Sequence, residues 1–262
     1  MTTIEKHQAG TFSWVELATS DQAAATDFYT KLFGWEKQDN PLPDGGIYTI
    51  GLVGGRPAAA VGQQQPQERE QGIHSHWNLY VASDDVDKTA ALAQEAGGTI
   101  MAPPFDVMDL GRMAVIADPT GAVISVWQSY QMPGFAVRDE HGSFSWPELL
   151  TKDTDRAKAF YGDVFGWTAD DMPMPDGRVY TMFKLGETNV GGLFPPPAED
   201  IPPTWMVYFD VADCEGTVAT AKASGAQELQ APKVIEGMGT FAVLLDPTKA
   251  VFAVFQSTQQ SA

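Results

Sequence analysis

The chain has 262 residues, 44% of them hydrophobic, enough for the core of one large domain or two ordinary ones. Its formal net charge of -18, with no Lys/Arg cluster, repels phosphate backbones and anionic lipid, so neither nucleic acid nor membrane is an expected partner. The opening "MTTIEKHQAGTF" lacks the basic flank and apolar run of a secretory signal, and the expected location is the cytoplasm.

The first predicted element is a strand beginning at Phe12 in "FSWVELAT". Period-two geometry puts Phe12, Trp14 and Glu16 on one face, and Val15 with Leu17 on the other, where a helix would cover them. That helix is predicted in "TSDQAAATDFYTKLFG": the Ser20-Asp21 pair offers the N-cap, Ala24, Phe28 and Leu32 form an apolar face, and Gly34 ends it. Trp35, just beyond, reads as a packing residue, as does Trp167 in the second half. Short strands around "PDGG" follow, and "GQQQPQEREQG" reads as a solvated, mobile loop. "HSH", with His74 and His76, leads into a strand carrying Trp77, Asn78 and Tyr80. A second helix starts near Asp84, and later strands carry Arg112, Ser125 and Trp127. His7 and His141 lie in terminal and linker segments and attract no role; the lone Cys214 excludes an internal disulfide and reads as core filler.

At Phe144 the chain starts again. "FSWVELATSDQAAATDFYTKLFGW" and "FSWPELLTKDTDRAKAFYGDVFGW" agree at 13 of 24 positions, where composition alone would give roughly one or two. The match continues from "PDGGIYTI" into "PDGRVYTM", then resumes four residues out of step beyond the Gln-rich loop, which only the first copy has. Two domains follow, residues 10–130 and 142–262, joined by a linker at 131–141. Each holds a fainter internal repeat of strand, Asp-capped helix and short strands, with helices starting near Asp21, Asp84, Asp153 and Asp213. The fold class is α+β: four βαβββ modules, two per domain, with mixed sheets curled around a concavity.

The "FYTKLFGW" and "FYGDVFGW" segments, the "DDVD…GG" segment at Asp84 and the "DPTG" turn before the last strand resemble the vicinal oxygen chelate superfamily, which holds glyoxalases, bleomycin-resistance proteins and extradiol dioxygenases. The "W-x-E-L-x-T-x-D" opening at Trp146 is similar to tandem glyoxalase-like proteins of actinobacteria, some of which carry hydroxylase names. The resemblance covers nearly the whole chain and implies a fold more than a function. It also implies where a divalent metal would sit: the opening strands of paired modules and the last strand. Those positions hold Trp14, Asn78 and Ser125 in the first domain and Trp146, Met206 and Ala253 in the second, a set that does not make a normal divalent site. No metal or other cofactor is therefore expected; His76 joining Glu16 is the one relocated-ligand alternative.

The concavity of the first domain would be lined by Trp14, Glu16, Asn78, Tyr80, Ser125 and Trp127, with Arg112 near its rim to meet an anionic ligand. The second would be lined by Trp146, Glu148, Met206, Tyr208 and Phe255, with Thr240 in place of the arginine. Glu16 and Glu148 are the candidate bases, since a carboxyl on an apolar face must be paired, hydrogen-bonded or protonated. Three functions fit: a metal-free protein holding a flat, partly apolar small molecule in an aromatic cup; a cofactor-free lyase or isomerase using Glu16 or Glu148; and a metalloenzyme of glyoxalase or dioxygenase type with relocated ligands. Because the first cup is the more polar, it is favoured as the active one. A chain carrying all four modules is complete as a monomer, and a homodimer is the alternative.

Overall fold

A computed structural model describes residues 3–174 and 176–258. Pro175 of the repeated turn, the first two residues of the N-terminal segment and the last four of the second domain lie outside the described residues. The first half runs β1 (Phe12–Thr19), α1 (Gln22–Phe33), β2 (Glu36–Pro41), β3 (Ile47–Val53), β4 (Arg56–Gln63), α2 (Pro66–Glu70), β5 (His76–Ala82), α3 (Val86–Glu95), β6 (Thr99–Val107), β7 (Gly111–Ala117) and β8 (Val123–Ser129). The second repeats it without the short helix: β9 (Phe144–Leu150), α4 (Thr154–Phe165), β10 (Thr168–Pro173), β11 (Val179–Leu185), β12 (Thr188–Phe194), β13 (Thr204–Asp210), α5 (Cys214–Ala223), β14 (Gln227–Ile235), β15 (Gly239–Leu245) and β16 (Val251–Ser257).

Each half is one eight-stranded mixed sheet, ordered β2-β3-β4-β1-β5-β8-β7-β6 and β10-β11-β12-β9-β13-β16-β15-β14. The two modules of a half meet where β1 pairs antiparallel with β5, and β9 with β13. The architecture is thus α+β, with tandem four-module organisation. The helices form for local reasons: Asp21, Asp85, Asp153 and Asp213 each accept a backbone N–H of the first turn, a cap worth about 1 kcal/mol. Gly34 and Gly166 end α1 and α4 in the left-handed region. The buried stripe of α1 is Ala25, Phe28, Tyr29 and Leu32, while Ala24 is exposed one position off the expected face.

One face of each sheet carries the helices, and there the two halves interlock. α1 packs on α5, and α3 on α4, so each helix layer lies against the other half. Phe33 and Trp77 of the first half meet Phe209 of the second at 4.8 and 4.9 Å between ring centres. Trp35 donates to the carbonyl of Gly142 (2.6 Å) and Trp167 to that of Gly10 (2.7 Å), the reciprocal bonds of a two-fold arrangement. Phe12 belongs to this interior. A bulge between Phe12 and Trp14 sets two residues of β1 against one of β5, which turns Phe12 away from Trp14 and onto Trp205, Phe144 and Trp167.

The linker is built into the same core: Phe135 and Val137 are buried, and Phe135 bonds to the Ser13 carbonyl. The Gln-rich segment is a structured helix rather than an open loop. Gln65 and Glu68 cap α2 reciprocally, and the buried Gln64 donates to the carbonyls of Ile73 and His74. Cys214 is buried, and burial pushes its thiol up to about 11, far from the thiolate form.

Candidate functional site

The other face of each sheet has no helix layer, yet Trp14, Tyr80 and Trp127 on it are almost fully buried. The linker takes part in this, since the Trp127 indole donates to the Met132 carbonyl (2.9 Å). Register places the residues: Glu16 lies opposite Asn78, Trp14 opposite Tyr80, and Tyr80 beside Ser125. Tyr48 of β3 reaches across β4 into the same space. Its hydroxyl donates to Glu16 Oε2 (2.9 Å) and accepts from the Trp14 indole (3.0 Å); the Tyr80 hydroxyl donates to the same Oε2 (3.2 Å). Glu16 Oε1 accepts no hydrogen bond from a described residue, and the side chain keeps some exposure into the cup.

Burial raises the Glu16 carboxyl above its ordinary range, while the Tyr48 and Tyr80 hydrogen bonds hold it down in part. His76, also on β5, and Glu68 of α2 act on it through their charges in opposite directions. The His76 ring is itself tied at 2.9 Å to the His74 carbonyl and lies 3.8 Å from Glu68.

The second cup repeats the core of this arrangement. Tyr208 donates to Glu148 Oε1 (3.0 Å) and the Trp146 indole donates to the Tyr180 hydroxyl (3.0 Å), which stands near Glu148. Burial pushes Glu148 up to about 7, against the two phenols. Gly192 faces Glu148 where the first cup has Ala60 opposite Glu16; a Cβ there would collide with the Tyr180 hydroxyl. Met206 lies opposite Glu148, Ala253 is buried beside Tyr208, and Phe255 pairs with Phe241, whose ring neighbours Tyr208. At the edge Arg178 stacks over Phe194 and pairs with Asp176. The surroundings therefore differ: Glu68 and His76 act on Glu16 through their charges, whereas Arg178 of the second half is paired with Asp176.

Arg112 is not at the rim of the first cup. Antiparallel register sets it opposite Gln128, whose side chain accepts from the start of α3 on the helix-bearing face. From there Arg112 binds Asp87 of α3 and Asp106 of β6. Tyr48 and Tyr180 were missed in the sequence although their signal was present: both stand in the repeated "PDG" segment, at the offset shared by Glu16 and Glu148. An open recess of about 510 Å³ between the N-terminal arm, Asp84 and residues 127–131 is lined by Trp127 but by neither Glu16 nor Glu148.

Among the described residues no three of His, Cys, Asp and Glu gather in one place.

Comparison with known proteins agrees with this architecture. The model of the Glyoxalase/Bleomycin resistance protein/Dioxygenase superfamily matches residues 11–126, and the bleomycin resistance protein-like N-terminal model matches residues 144–186. CFP32 of Mycobacterium tuberculosis, which carries a glyoxylase name, is 42% identical over 256 residues, covering 97% of this chain and 98% of that protein. The chain belongs to the glyoxalase/bleomycin resistance/dioxygenase superfamily. Within it, the anthracycline biosynthesis protein DnrV of Streptomyces peucetius is 35% identical over 258 residues, covering 94% of this chain and 93% of that one. Among solved structures, the Mn(II)-bound glyoxalase of Novosphingobium aromaticivorans superposes with a TM-score of 0.65 at 17% identity, over 95% of this chain and 82% of the other. The 2,3-dioxygenase LapB of Pseudomonas sp. KL28 does so at 0.62 and 13%, over 100% and 95%. At those identities the likeness is one of fold. No helix among the described residues is long and apolar enough to cross a membrane.

Proposed function

We propose that this superfamily member binds a flat, partly apolar small molecule in its cups, without a divalent ion, and anchors the ligand's polar edge on the cup carboxylate. The observation that carries the reading is the state of Glu16: two phenols hold one oxygen in place, and the other accepts no hydrogen bond from a described residue. A rigid acceptor set among aromatic walls is how small-molecule sites combine apolar area with a few placed polar groups. Relatives named for anthracycline biosynthesis support a fused-ring aromatic as the ligand class. A dihydroxyanthraquinone is the probe. It should change tryptophan fluorescence and be recovered unaltered, EDTA treatment should leave binding intact, and Glu16→Gln should weaken it several-fold. A response that disappears with a chelated, stoichiometric metal would reject the reading.

One observation favours a second, catalytic reading. A carboxyl poised at about 7, as Glu148 is, suits proton abstraction at neutral pH. In that case Glu148→Gln abolishes turnover of a bound substrate while binding survives; equal turnover in the two proteins excludes Glu148 as base.

A further inference from the structure

Resting on the reading of the first cup as a ligand site, the geometry points to a cationic ligand for it: a quaternary or tertiary ammonium group on an apolar body, seated against Glu16 Oε1 among Trp14, Tyr48, Tyr80 and Trp127. Four independent features converge. Glu16 lies in the cup with one oxygen free of described hydrogen-bond donors, and its partners are neutral phenols, which orient a carboxylate without neutralising it. The arginine nearest in sequence pattern, Arg112, faces the opposite side of the sheet and is occupied by Asp87 and Asp106. A second carboxylate, Glu68, lies within electrostatic reach of Glu16. Finally, a chain of net charge -18 concentrates cations near its surface. Aromatic walls with a carboxylate attract an ammonium group through both the ring quadrupole and Coulomb terms, and the group supplies the missing counter-charge. The charged neighbours facing Glu16 are His76 from β5 and Glu68 from α2; its other contacts, Tyr48 and Tyr80, are neutral.

A pair of isosteric probes isolates charge: 3-hydroxyphenyl-trimethylammonium and 3-tert-butylphenol, titrated calorimetrically at about pH 7.5 in low salt, where screening is weakest. The cation should bind about tenfold more tightly than the neutral isostere. Glu16→Gln should remove that preference, the cation losing about tenfold more affinity than the neutral isostere. Asn78→Lys, which places an internal ammonium opposite Glu16 in the register, should remove it with Glu16 still present. Equal affinities in the wild-type protein overturn the cationic assignment and leave the cup as a ligand site, and so does a preference that survives Asn78→Lys. Failure of both probes to bind overturns the assignment together with the ligand-site reading.

Discussion

Glu16 and Glu148 hold the same place in their sheets but sit in different fields, and the difference is testable by pH. The Glu148 carboxyl stands at about 7 in the folded protein, against an ordinary 4.5. Between those values the folded state keeps a proton that unfolding releases, so stability falls as pH rises through this window and levels off above it. The full shift corresponds to about 3 kcal/mol, an upper bound because the side chain retains contact with water. Urea unfolding at pH 5 and pH 8 should show the wild-type protein losing up to that amount relative to Glu148→Gln, which cannot titrate. Asp210, also raised, to about 6, is common to both proteins and cancels in the comparison. Parallel pH profiles for the two would show that Glu148 is no more perturbed than a surface carboxylate.

At the level of elements, the repeated motifs act across the molecule. The Asp118 carboxylate of the "DPTG" turn accepts from the N–H and hydroxyl of Thr120 and the N–H groups of Gly121 and Ala122. Its other oxygen accepts from the hydroxyl of Tyr161 in α4, 2.9 Å away in the other half. Asp246 and Tyr29 repeat the pair in reverse. The "FY" of the helix and the Asp of the turn, far apart in the chain, are thus two ends of one contact. Asp118→Ala leaves several buried donors without an acceptor and should cost about 3–5 kcal/mol. Tyr161→Phe keeps the turn and should cost about 2 kcal/mol. Chemical denaturation measures both, and equal losses would mean that the turn bonds contribute little. Arg112 teaches the converse lesson: its face follows from its pairing with Gln128 of β8, a register that spacing along β7 alone does not state.

On the scale of the whole molecule, the two halves are bound by their helix layers into one core. Separating them exposes Phe33, Trp77, Phe209 and Phe252 and breaks the indole bonds to Gly142 and Gly10. Buried aromatics are worth about 1.5–3 kcal/mol each, a large share of the few kcal/mol that separate folded from unfolded chains. Residues 1–130 produced alone should therefore lack a near-UV circular dichroism signal and a cooperative unfolding transition, and co-production with residues 131–262 should restore both. A cooperative transition in the isolated half would show that each sheet is self-sufficient.

Local pattern was enough to determine much of this protein. Asp caps, helix periods, Gly stops and the doubled "FSW-x-E" opening are written within a few residues of one another, so the four modules, the α+β class and the superfamily were all legible in the chain, as was the pairing of a tryptophan with a glutamate on one strand face. Tertiary structure alone decided which groups hold that glutamate and which side chains leave its face. Tyr48 reaches Glu16 from two strands away, one bulge sends Phe12 into the interior, and Tyr29 finds Asp246 at a separation of 217 residues. Strand register and the docking of the halves set those contacts, and both are settled by the burial of whole faces, which no short spacing in a sequence records.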